Sequence, residues 1–86
     1  MQIIWTKHAE QRLKEWEQKK QITRVEIEWV IINPDQLVHG DLNILIAQSR
    51  RGNGLLRVAF IETQVGRKVL TLYWTSKVAK YWEEDK

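Results

Sequence analysis

Two short loops constrain this chain more than any other feature of its 86 residues. Arg50-Arg51-Gly52-Asn53-Gly54 and Thr63-Gln64-Val65-Gly66-Arg67 separate three stretches of strand composition, at 43–49, 55–62 and 68–74. Loops this short close hairpins and cannot house a crossover, so the three stretches must pair antiparallel. Strand alternation then sorts the side chains. Leu56, Val58 and Phe60 fall on one face of 55–62, with Arg57, Ala59 and Ile61 on the other. In 68–74, Val69, Thr71 and Tyr73 alternate with Leu70, Leu72 and Trp74. Gln36-Leu37-Val38 is a shorter strand before a turn at His39-Gly40-Asp41, and Ile3-Ile4-Trp5 can add to a sheet edge.

An apolar sheet face needs a cover, and two amphipathic stretches before these strands can supply it. The first follows Thr6 as N-cap and carries Ala9, Leu13 and Trp16 as an apolar stripe at i, i+4, i+7 spacing. Lys7, Glu10, Gln11, Lys14, Glu17 and Gln18 face water. Between the two faces runs an ionisable row, His8, Arg12, Glu15 and Lys19. Such a row either shields apolar surface with its stems and pairs at i, i+4, or lines a cleft. In the second stretch Thr23-Arg24-Val25-Glu26 has capping-box spacing, Ile22 and Ile27 suit a hydrophobic staple, and Pro34 ends the helix near Asn33. Val25, Trp29 and Ile32 line one side of it and Ile27, Val30 and Ile31 the other. It is therefore expected to be buried on two sides, by the first helix and the sheet, or to dock a partner chain through Val25–Asn33. Ser76 caps a final helical turn over 77–82.

The predicted architecture is α+β, one domain over 1–86, with two N-terminal helices on one face of a three- to four-stranded antiparallel sheet. The predicted core is Ala9, Leu13, Trp16, Trp29, Val30, Leu56, Val58, Phe60, Leu70 and Leu72. Without cysteine the chain has no disulfide framework and no thiolate nucleophile. Two histidines far apart give no zinc spacing, so no metal and no cofactor is expected. No apolar run approaches a membrane span and no signal-peptide pattern opens the chain, which leads us to expect a cytoplasmic protein.

Charge is distributed unevenly. Residues 1–42 carry six basic and seven acidic groups, and residues 43–82 carry seven basic groups against Glu62 alone. The tail Glu83-Glu84-Asp85-Lys86 is acidic. A basic half suits a polyanion such as RNA, DNA or a very acidic protein. Its candidate contacts are Arg50, Arg51, Arg57, Arg67, Lys77 and Lys80, with Trp82 as a stacking platform.

Thr6-Lys7-His8-Ala9 with Arg12, Ile22-Thr23 with Val25, Asn33-Pro34 and Leu70-Thr71-Leu72-Tyr73 resemble a family of small bacterial domains. It is the domain-of-unknown-function 4258 group, placed in the RelE-like fold of barnase, EndoU and colicin-type ribonucleases. The resemblance implies helices on one side of an antiparallel sheet and a metal-independent, toxin-like ribonuclease site at His8, Arg12 and Tyr73. Trp16 stands where family members often carry a basic residue, and Glu17-Gln18-Lys19-Lys20-Gln21 makes a longer join between the helices. The chemistry of the residues is compatible: His8 can exchange a proton near neutrality, Arg12 or Arg57 can grip a phosphate, and Tyr73 can orient or stack on substrate. Two alternatives accompany the ribonuclease. One is a non-catalytic RNA- or ribosome-binding module, and the other a module docking an antitoxin-like protein.

Overall fold

Thr6 ties the helical layer to the sheet before the first helix has begun. Its hydroxyl donates to the Val69 carbonyl at 2.7 Å and accepts from the Ala9 N–H at 3.1 Å, so one side chain caps the helix and fixes its entry point. In this computed structural model, which describes residues 2–84, the chain forms β1 (Ile3–Trp5), α1 (Lys7–Lys20), α2 (Arg24–Ile32), β2 (Gln36–His39), β3 (Leu45–Arg51), β4 (Gly54–Glu62), β5 (Arg67–Thr75) and α3 (Val78–Tyr81). Met1 and, from the acidic tail, Asp85 and Lys86 lie outside the described residues.

The sheet has five strands in the order β1-β5-β4-β3-β2 and is mixed rather than purely antiparallel. Strands β2 to β5 pair antiparallel as their hairpins require, and β1 joins β5 in parallel. Parallel pairing is open to β1 because both helices lie between it and the other strands in sequence. The β3–β4 hairpin is tighter than expected: Arg51 pairs with Gly54, leaving Gly52-Asn53 as a two-residue turn with Gly52 at φ 62°.

α1 runs on through Lys20, because Glu17, Gln18, Lys19 and Lys20 are good helix formers. The join between the helices is therefore short, not long. Gln21 stops α1 in the left-handed region at φ 55°, its N–H donating to the Glu17 carbonyl and the following Ile22 N–H to the Trp16 carbonyl. Thr23 caps α2 by accepting from the Glu26 N–H at 3.2 Å, but the Glu26 carboxylate pairs with Arg51 instead of closing the capping box.

The core between helices and sheet holds Ala9, Leu13, Ile22, Ile27, Val30, Ile31, Ala47, Leu56, Val58, Phe60, Val69 and Leu72. Three expectations fail here. Trp16 is only partly buried against this cluster. Trp29 is 60 % exposed, because α2 buries only the Ile27–Val30–Ile31 side. Leu70 leaves the core because the β4–β5 register slips between Ala59 and Phe60, with Thr71 opposite the first and Val69 opposite the second. This bulge reverses the phase of β5, so Val69 shares the helix side with Leu72 and Trp74.

Gly54 marks the closest backbone approach in the β3–β4 hairpin, where a Cβ would lie 2.2 Å from the Thr75 carbonyl oxygen and 2.5 Å from the Trp74 ring. Gly54→Ala is therefore expected to destabilise the fold by about 1–3 kcal/mol, a fall of roughly 4–8 °C in Tm per kcal/mol for a domain of this size. Thermal unfolding followed by circular dichroism measures it, and an unchanged Tm would contradict the packing at this turn.

Candidate functional site

Strand register assembles a polar row on the sheet face away from the helices. Gln36 stands opposite Gln48, Gln48 opposite Arg57, and Arg57 opposite Tyr73, so one residue from each of β2 to β5 lies in line. Residues directly opposite on neighbouring strands share a face, so these side chains touch. Arg57 Nε donates to Gln48 Oε1 at 2.9 Å, and Arg57 also donates to the Tyr73 hydroxyl. Gln48 Nε2 donates to Gln36 Oε1 at 2.8 Å.

The C-terminal segment crosses this row. Gln48 Nε2 also donates to the Tyr81 carbonyl at 3.1 Å, and the Gln36 amide exchanges hydrogen bonds with the backbone of Glu83. The Tyr81 ring lies 4.0 Å from the Arg57 guanidinium carbon and meets Tyr73 edge to face, with centroids 6.3 Å apart. One row away Arg50 stacks over Trp82 at 4.4 Å. Leu55 and Val38 are buried outside the main core cluster, under this second cover.

Arg57 is 7 % exposed and Gln48 is fully buried. Among the described residues no carboxylate lies within ion-pair distance of Arg57. A buried cation held only by neutral partners loses hydration without regaining Coulomb energy from a counter-ion. The guanidinium is nonetheless oriented, by Gln48 on one edge and Tyr73 on another, as a planar anion-binding fork requires.

The two phenols respond in opposite directions. Burial raises the pKa of Tyr73, against the opposing pull of Arg57. Tyr81 is lowered by its approach to the Tyr73 hydroxyl and by the neighbouring Lys80 and Arg57.

The residues expected to form a catalytic trio do not meet. His8 is exposed on α1, and Arg12, on the same helix, pairs with Glu15 at 2.7 Å. Tyr73 lies across the sheet from them, since α1 packs on the helix side of β5. The basic candidates also divide. Arg51 binds Glu26 and the Lys20 carbonyl, and Arg67 binds the Ile31 carbonyl at 2.7 Å over the Phe60 ring, so both stitch helices to sheet. Arg50, Arg57 and Lys80 gather at the aromatic groups of the open face, and Lys77 precedes α3. Sequence reasoning missed Gln36, Gln48 and Tyr81; a polar residue recurring at the outward position of successive strands was the signal for the two glutamines, and Tyr81, in α3, had none of that kind.

Among the described residues, no helix is long and apolar enough to cross a membrane, and no three His, Cys, Asp or Glu residues gather as a metal site would require. Comparison with known protein families, with curated proteins and with solved structures returned no match.

Gln48→Leu tests the row. It leaves the Arg57 Nε–H and the Tyr81 carbonyl without their Gln48 partner, while Gln36 Oε1 keeps the Glu83 N–H, and each stranded group costs about 1–3 kcal/mol if no water reaches it. A drop of several degrees in Tm is expected by calorimetry; a neutral substitution would mean that the row is not a connected network.

Proposed function

We propose that this chain is a RelE-like domain that binds RNA through the open face of its sheet, with Arg57 holding a backbone phosphate. The carrying observation is the guanidinium itself, 7 % exposed, fixed by two neutral side chains and, among the described residues, without a carboxylate beside it. A phosphate supplies the missing counter-ion through charge-assisted hydrogen bonds, roughly twice as strong as neutral ones. Such bonds can displace the neutral contacts by which Gln36 and Gln48 hold the C-terminal segment. A single-stranded nucleic acid is favoured over other polyanions because Tyr73, Tyr81 and Trp82 offer rings to unpaired bases, and the choice of RNA follows the RelE-like reading. His8 and Arg12 take no part in this reading.

A metal-independent, toxin-like cleavage is the second reading, supported by the two phenols that meet beside the Arg57 guanidinium. Tyr81 would then hydrogen-bond the 2′-hydroxyl as its proton passes to water, Tyr73 would supply a proton to the leaving oxygen, and Arg57 would stabilise the charge between them.

Binding of a single-stranded RNA, followed by fluorescence anisotropy, should weaken steeply from low to physiological salt. Gln48→Glu should weaken it at least tenfold, because the new carboxylate neutralises Arg57 from within, and His8→Ala should leave it unchanged. Binding indifferent to salt or to Gln48→Glu would refute the phosphate site. Cleavage is read on the same RNA with chelator present. Loss in Tyr73→Phe and in Tyr81→Phe supports the phenol pair; loss in His8→Ala and Arg12→Ala instead would move catalysis to α1.

A further inference from the structure

A guanidinium as buried as that of Arg57 receives a phosphate only if something beside it moves. Two of its donors are taken by Gln48 and Tyr73, and the Tyr81 ring lies 4.0 Å from the guanidinium carbon. Gln48 and Tyr73 are carried by β3 and β5, the neighbours of β4 in the sheet. Tyr81 is carried by α3, four residues with no side-chain cap, joined to β5 through Ser76 and Lys77 alone. The neighbour free to move is therefore the C-terminal segment.

What holds that segment down is polar and peripheral. Gln36 grips Glu83 at both main-chain groups: its Nε2 donates to the carbonyl and its Oε1 accepts from the N–H at 3.1 Å. Gln48 Nε2 donates to the Tyr81 carbonyl at 3.1 Å, and Trp82 lies against Arg50. Gln36 stands on the edge strand β2, and hydrogen bonds within reach of water trade partners at little net cost. Among the described residues neither Glu83 nor Glu84 makes an ion pair. A polyanion drawn to Arg57, Arg50 and Lys80 repels this acidic end and so favours its release.

We propose that residues 78–83 are a lid over Arg57, latched by Gln36 and closed in the resting chain, and that its opening sets how tightly this face holds a single-stranded nucleic acid. The lid rests on the reading of Arg57 as the phosphate site and adds the regulation of that site. A phosphate reaches the fork only in the open state, so it has the differential affinity that shifts a two-state equilibrium. The affinity observed is then the intrinsic one reduced by the fraction of chains that are open. Weakening the latch strengthens binding, the reverse of what losing a contact residue does. Tyr81 and Trp82 stay tethered beside the face when the lid lifts, where bases can stack on them.

The Arg57 Nε–H reads the lid with no nucleic acid present, because it is buried in the closed state and exchanges with solvent from the open one. Its exchange in the full chain is followed by nuclear magnetic resonance, and binding of a short single-stranded RNA by fluorescence anisotropy. Gln36→Ala, at a half-buried edge position, should keep the circular dichroism spectrum of the wild type. It should speed the exchange about fivefold or more and tighten RNA binding by the same factor. Glu83→Pro deletes the N–H that Gln36 holds, and the extended backbone of Trp82, at φ −72° and ψ 126°, already suits the residue before a proline. It should act as Gln36→Ala does when compared with Glu83→Gln, which removes the charge alone. Exchange unchanged in both latch variants overturns the lid and leaves the phosphate site to stand on Gln48→Glu and salt. Faster exchange with unchanged RNA binding overturns it equally, by placing the RNA outside the lid. Faster exchange with no RNA binding in any variant refutes the phosphate site itself, and the lid's role with it.

Discussion

Burial of β4 on both of its faces is the constraint from which the rest of the structure follows. Leu56, Val58 and Phe60 are fully buried beneath the helices, and Leu55 and Arg57 are buried on the opposite side. Three large side chains removed from water contribute roughly 1.5–3 kcal/mol each. Strand geometry converts that burial into a position for Arg57, since a strand cannot turn Val58 inward without turning Arg57 outward. The apolar side thus holds a guanidinium where its own solvation would not take it. Register brings Gln48 of β3 and Tyr73 of β5 to orient it and Gln36 of β2 to hold Gln48, and Tyr81 covers it from α3.

The two covers of the sheet are unequal, and the proposed function rests on the inequality. On the helix side the ties are charged or apolar: Arg51 to Glu26, Arg67 to the Ile31 carbonyl, Trp5 to Glu28, and Arg24 to Glu10. On the open side the C-terminal segment is held by neutral amide contacts and by rings against guanidinium groups, and α3 is a single turn with no side-chain cap. Local opening begins where buried apolar contacts are few. A ligand for Arg57 therefore competes with the weaker cover and leaves the core intact.

Much of this was legible in the sequence. The caps at Thr6 and Thr23, the stop before Pro34, the hairpins and the facing of 55–62 all follow from local chemistry and agree with the structure. A two-residue turn at Gly52-Asn53 would even have predicted Gln48 opposite Arg57 by counting outward. Counting failed on β5, because the bulge near Leu70 shifts Tyr73 into the row through a register slip that no residue type announces. Trp29 misled for a different reason. Apolarity says that a side chain prefers cover, but only the assembled layers reveal whether the chain itself provides it. His8 and Arg12 drew attention by standing on a boundary stripe, which in the folded chain borders solvent and the Glu15 carboxylate.

The central claim is that the sheet face built around Arg57, and not the α1 row, receives the phosphate. Nuclear magnetic resonance with a short single-stranded RNA tests it most directly, through the Arg57 side-chain Nε–H and the backbone amides together. The account predicts that the Arg57 Nε–H resonance and the amides of Gln48, Tyr73 and Tyr81 shift in proportion to bound RNA, with His8 and Arg12 unmoved. Shifts concentrated at His8, Arg12 and Glu15, with Arg57 silent, would contradict it.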